Sequence, residues 1–137
     1  ELEIARVYER MEQHRLGDRL QVDWQLGPLP EDTPVPGLVI QPLLENAIYH
    51  GIEPMPQPGR IQVSGESVDG MVRISVSNPL PPSASAPRHG NRIALDNIRE
   101  RLELAFGVRG VLSVIDSVPG MFTVTIEFPT GPQVLPA

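Results

Sequence analysis

The sequence contains no cysteine, which excludes disulfides, thiolate metal sites and thiol nucleophiles. It contains no lysine either: all 11 basic side chains are arginine. Schiff-base chemistry is therefore excluded, and a phosphate site would have to use backbone amides, arginine or a metal. Positive charge is in deficit, with a net charge of −6. That balance argues against a nucleic-acid binder, whose footprint would be basic. No apolar run approaches the roughly 18 residues of a membrane span, and no stretch reads as a signal peptide. There is no internal repeat. What remains is 137 residues, 40% of them hydrophobic, which fits one soluble domain with a sizeable core and no need of covalent staples. Proline is plentiful, at 16 residues, against a usual share of about 5%. Part of the chain must be irregular.

Residues 1 to 16 read as a short charged helix, with Leu2, Ala5, Tyr8 and Met11 in an apolar stripe widened by Ile4 and Val7. It starts without a cap and reads as the tail of a longer helix; Gly17 is its stop. Residues 19 to 26 alternate, Leu20, Val22, Trp24 and Leu26 against Arg19, Gln21, Asp23 and Gln25, which predicts a half-buried strand. A proline-rich loop follows over 27–37. From about 36 to 50, Ile40, Leu43, Leu44, Ala47 and Ile48 make one helical face that Gly51 ends, with Pro42 in the first turn or at a bend. Residues 60–77 read as a hairpin around Asp69-Gly70. Residues 78–91 read as a long loop of the lid kind. A second core helix runs from about 92 to 106 on Leu95, Ile98, Leu102, Ala105 and Phe106, with Gly107 at its C′ position. A last hairpin pairs 111–115 with 121–128. The order predicts a two-layer α/β sandwich with a mixed, mostly antiparallel sheet.

Two places carry chemistry. On the first core helix, Asn46, Tyr49 and His50 fall at i, i+3 and i+4, a polar stripe opposite the apolar face, with Glu45 beside them. An amide, a ring nitrogen and a carboxylate on one face can ligate Mg²⁺ and hold phosphate oxygens; the plain alternative is a wet helix surface. At the second helix, Gly90-Asn91 precede the first turn, where exposed N–H groups attract anions. The plain alternative is Asn91 as an ordinary N-cap. Arg92 adds charge at the same place or points to solvent.

Together, Leu-Leu-Glu-Asn-Ala-Ile-Tyr-His-Gly (43–51) and Asn-Ile-Arg-Glu-Arg-Leu (97–102) resemble the N box and second glycine-box region of sensor histidine kinases of the LytS type, nearest the AlgZ-like branch. Gln41-Pro42, the 15–20 stretch and the 119–126 hairpin resemble that family too, so the likeness runs from about residue 1 to 129. It implies a Bergerat-type (GHKL) ATP-binding fold over 18–129, with 78–91 as the ATP lid, 1–17 as the end of a dimerisation and phosphoacceptor region, and 130–137 as a tail. It further implies ATP and Mg²⁺ as ligands. Asn46 would hold the metal. Tyr49, His50, Asn78, Gly90, Asn91, Arg92 and Leu95 would line the nucleotide, with Asn78 reading the adenine amino group. Glu45 is the candidate to orient an attacking imidazole. The implied partners are the protein's own histidine-bearing region, in a homodimer, and a cognate response regulator. No nucleic acid or direct membrane contact is implied. The implied location is the cytoplasmic side of a bacterial inner membrane.

The sequence departs from that family in its glycines. Asn78-Pro79-Leu80-Pro81 replaces the Asp-Asn-Gly-x-Gly box, and Arg92-Ile93-Ala94-Leu95 replaces Gly-x-Gly-Leu. An asparagine accepts a hydrogen bond but lacks the carboxylate's charge. The competing reading is therefore a degenerate, non-catalytic signalling module on the same fold. A free-standing serine kinase of the anti-sigma type shares the fold, but lacks an upstream dimerisation helix such as 1–16 suggests.

Overall fold

A computed structural model describes residues 2–26, 40–52, 59–79, 89–115 and 120–129. Helix α1 (Leu2–Leu16) passes through a 3₁₀ turn at Gly17–Arg19 into strand β1 (Leu20–Leu26). Helix α2 (Ile40–Ala47) continues as a single π-helical turn, Ile48–Ile52. Strands β2 (Gly59–Val68) and β3 (Met71–Pro79) form a hairpin, and helix α3 (His89–Phe106) runs into a 3₁₀ turn at Gly107–Arg109. Strands β4 (Val111–Ile115) and β5 (Met121–Pro129) complete the order.

Among the described residues the sheet has five strands, in the order β1-β2-β3-β5-β4. Only β1 and β2 run parallel; β2–β3, β3–β5 and β4–β5 are antiparallel. The parallel pair needs a crossover, and α2 lies within it. The expected mixed, mostly antiparallel sheet is the one observed. The β2–β3 link is a two-residue turn with Asp69 and Gly70 at φ 53° and 79°, the left-handed pair such hairpins require.

Alternation decides which face each strand buries. Ile61 and Val63 of β2, Val72, Ile74 and Val76 of β3, and Phe122, Val124, Ile126 and Phe128 of β5 all point to the helices and are buried. Against them pack Ile40, Leu43, Leu44, Ala47 and Ile48 from α2 and the π turn, and Leu95, Ile98, Leu102 and Phe106 from α3. The opposite face is polar: Ser75 and Thr125 share a hydrogen bond of 2.9 Å, and Ser77 and Thr123 one of 2.8 Å.

Helix α1 is fastened to β1. The Gln13 side-chain amide donates to the Leu20 carbonyl at 3.0 Å, and the Trp24 indole N–H donates to a Glu9 carboxylate oxygen at 2.8 Å. Tyr8, Leu16 and Trp24 are half-buried against the core. Trp24→Phe keeps most of that packing and deletes the donor. A part-buried bond to a charged acceptor contributes about 1.5 kcal/mol, so urea unfolding of Trp24→Phe should show that loss. An unchanged midpoint would mean the Glu9 contact holds nothing.

Three boundaries differ from the sequence reading. Helix α3 starts at His89 rather than 92, so Gly90 and Asn91 lie in its first turn and Asn91 is not its N-cap. Asn78 and Pro79 close β3 instead of opening a loop; of the expected lid, 80–88 lie outside the described residues. Gly51 does not end the helix: the π turn carries on through it to Ile52. Pro42 falls in the first turn of α2, one of its two expected places, where a missing N–H costs nothing.

Candidate nucleotide site

The expected site residues lie on α2 and its π turn, at the end of β3 and at the start of α3. Phe106, the last residue of α3, stacks on Phe128 with ring centroids 5.3 Å apart. Phe128 pairs with Val72, at the beginning of β3. Helix α3 is 18 residues long, about 27 Å at 1.5 Å per residue. Its other end, with Gly90, Asn91 and Arg92 in the first turn, is a helix length away from that stack. The side chains of His50, Asn91 and Arg92 lie outside the described residues, as does that of His89. Their backbone puts His50 in the π turn and the others at the α3 N-terminus, whose N–H groups have no intrahelical acceptors.

Asn46 is the most informative position. The expected polar stripe opposite the apolar face is not what forms. On a helix, Asn46 follows Leu43 by three residues and so lies about 60° from it, on the flank of the apolar stripe. Helix α2 packs among α1, α3 and β3, and Asn46 is only 6% exposed. Its Oδ1 is sealed from water and has no hydrogen-bond partner among the described residues. Buried amides are ordinarily paired, and leaving one unpaired costs about 1–3 kcal/mol. Tyr49 is on different terms, 56% exposed, because the π turn rotates it out of line with Asn46. Glu45 is exposed.

Asn78 is the second buried amide, 2% exposed. Period-2 alternation after Ile74 and Val76 turns it to the helix-covered face. Its Nδ2 donates to the Pro79 carbonyl oxygen at 2.9 Å. The π turn presses on it: a Cβ built at Gly51 would stand 2.7 Å from both Cβ and Nδ2 of Asn78, and 2.9 Å from the Pro79 oxygen. Gly51 and Pro79, members of the two family-like stretches 43–51 and 78–81, thus both lie against Asn78. Leu95, nearly two turns into α3, is built into the core at 6% exposure.

The donor set suits Mg²⁺. Among the described residues no group of three or more His, Asp or Glu side chains could form an all-protein cage. Mg²⁺ favours the opposite arrangement, few protein oxygens with the rest from water and phosphate. The Asn46 Oδ1 has no hydrogen-bond partner among the described residues, so its lone pairs are uncommitted. A cavity of about 580 Å³ lined by Arg99, Glu103, Val108, Val111 and Leu112 lies at the other end of α3 and contains none of these groups.

No protein-family model matches the chain. It is similar to the sensor histidine kinase YesM of Bacillus subtilis, 33% identical over 110 residues. It is also similar to the sensor histidine kinase YpdA of Escherichia coli, 34% identical over 115 residues. Each match covers 78% of this chain, but 19% and 20% of those proteins, so the chain spans about a fifth of the length of the curated relatives it matches. The sensor protein LytS of Oceanobacillus iheyensis is 28% identical over 88% of this chain and 23% of its own length. Among solved structures, the catalytic domain of histidine kinase ThkA superposes with a TM-score of 0.71 at 19% identity, over 96% of this chain and 92% of that one. The mycobacterial sensor histidine kinase MprB gives 0.62 at 15% identity, over 96% and 95%.

The fold is accordingly the α/β sandwich of a histidine kinase catalytic domain, the Bergerat or GHKL fold. The chain itself is a homologue of the sensor histidine kinases, LytS among them. Catalytic domains of that family bind ATP, generally with Mg²⁺.

Proposed function

We propose that this domain binds Mg·ATP between α2, the N-terminus of α3 and the end of β3, and delivers the γ-phosphoryl group to a histidine outside the 137 residues. The observation that carries this reading is the Asn46 amide, buried without a hydrogen bond. A sealed polar group with no partner is a liability unless a ligand engages it. A bound Mg²⁺ would neutralise charge on the phosphate oxygens. The chain's own residues do the rest. Asn46 would hold the metal, with Tyr49 and His50 beside it. Asn78 would face the adenine amino group and Leu95 would underlie the base. The amides of Gly90 and Asn91, with Arg92, would steady the triphosphate at the α3 N-terminus. Glu45, exposed beside Asn46, would orient the attacking imidazole. A nitrogen of that ring attacks the γ-phosphorus and ADP leaves; a response-regulator aspartate then accepts the phosphoryl group.

Residues 78–91 would act as the lid and 130–137 as a tail. Helix α1, fastened to β1, would be the end of the dimerisation and phosphoacceptor region of a homodimer. No helix among the described residues is long and apolar enough to cross a membrane. In the longer protein this domain would face the cytoplasm of a bacterium, with any anchoring in the inner membrane supplied by other segments.

Calorimetric titration of the folded domain with ATP and Mg²⁺ tests the reading. Saturable one-to-one binding that EDTA weakens is expected. No detectable binding, with an intact circular dichroism spectrum, would overturn it in favour of the non-catalytic module.

A further inference from the structure

Resting on that function, we propose that Gly51 and Pro79 determine which nucleobase the site accepts, by locking Asn78 in one orientation. An asparagine amide is ambidextrous: its oxygen accepts, its NH₂ donates, and half a turn about χ2 exchanges them. A freely turning Asn78 would meet the amino group of adenine and the 6-oxo group of hypoxanthine or guanine equally well. The surroundings here forbid the exchange. Nδ2 donates to the Pro79 carbonyl at 2.9 Å; the reversed amide would set two oxygens at that distance with no proton between them. Asn78 is almost wholly buried, so no water is at hand to relieve the clash. Gly51 faces that same bond: a Cβ there would stand 2.7 Å from the amide nitrogen and 2.9 Å from the Pro79 oxygen, so the bare backbone at 51 is what leaves room for Nδ2 and the carbonyl to meet.

The remaining amide atom, Oδ1, is engaged by no described partner. It behaves as a fixed carbonyl, an acceptor only, which is what a carboxylate would have been without needing a lock. The neutral amide has become selective through its neighbours. Gly51 and Pro79 are therefore positioning residues, acting on the base through Asn78.

The test compares ATP with inosine triphosphate, which carries a 6-oxo group in place of the amino group. A site built to accept from an amino group leaves two acceptors facing each other when the donor is missing. The wild-type domain should bind ATP at least about tenfold more tightly than ITP. Gly51→Ala forces Asn78 or the Pro79 carbonyl to move, and should bring the two affinities within about threefold. Equal binding of ATP and ITP by the wild type would overturn the lock, and that comparison needs no variant to fold. An unchanged ratio in folded Gly51→Ala would overturn the role of Gly51. Failure of the wild type to bind either triphosphate would remove the proposed function and this inference with it, a result separate from binding without discrimination.

Discussion

Asn46→Ala should abolish autophosphorylation in the longer protein and leave the domain's stability nearly untouched. The two halves follow from one observation. The Asn46 side chain makes no hydrogen bond among the described residues, and its Oδ1 is sealed and unpartnered. Truncation therefore breaks no internal bond and removes an unpaired polar atom worth about 1 kcal/mol or more in the folded state. Against that stands the small void left by three heavy atoms, of similar size. The melting temperature should move by less than about 5 °C in either direction. Activity has no such compensation. With no other candidate metal cage among the described residues, loss of the amide oxygen should cost about a hundredfold or more in rate, the scale of losing one preorganised electrostatic contact in a transition state. The measurements are phosphoryl incorporation from labelled ATP and differential scanning calorimetry. A variant that autophosphorylates within about tenfold of the wild-type rate would refute the metal role. One that melts more than about 10 °C lower would show that Asn46 is a structural amide after all.

That contrast also explains what could be read from the sequence. Strict alternation in 20–26, 72–78 and 122–128 made the strands visible, because a pleated strand with one buried face has no other way to be written. The order of helices and hairpins then led to the layered sandwich. Asn46 was visible as a candidate but not as a buried residue. A single helix wheel shows its own apolar face, not the neighbours that close its flanks, and α1, α3 and β3 come from distant parts of the chain. The parallel pairing of β1 with β2 was hidden for the same reason: register between strands some 40 residues apart leaves no local trace. Helix α3 was placed late because Gly90-Asn91 carries the chemistry of a cap while lying inside the first turn. The π turn was missed because a glycine after a helical run ordinarily marks its end. Here the glycine is needed for close approach to Asn78, and only the second element in the contact reveals that.

Gly110 is the extreme case of such a contact, and Gly110→Ala should be among the most destabilising single-methyl changes in the domain. Its backbone is in ordinary extended conformation, φ −93° and ψ 113°, so strain at the residue itself is not the issue. Space is. A Cβ there would stand 2.5 Å from the Leu102 carbonyl oxygen and 2.9 Å from its carbon. These are backbone atoms of α3, and the Leu102 side chain is fully buried, so nothing flexible can yield. Either α3 shifts as a unit or β4 moves away from it. Overpacking of a close-packed interior costs about 1–3 kcal/mol, and with rigid backbone on one side the upper end applies. For a domain of this size that is roughly a 10 °C fall in melting temperature. Gly107→Ala is the control. Gly107 has φ 63° and nothing within 4 Å of its would-be Cβ, so its cost is conformational only, about 1 kcal/mol. Calorimetry should therefore rank Gly110→Ala well below Gly107→Ala in stability. The reverse order would mean that α3 and β4 are free to part. Such freedom would reach the site, because the α3 C-terminus, anchored by Gly110 and the Phe106–Phe128 stack, sets where the N-terminal amides fall relative to Asn78. A destabilised but folded Gly110→Ala should accordingly bind ATP more weakly, although Gly110 lies at the far end of the helix from the proposed nucleotide site.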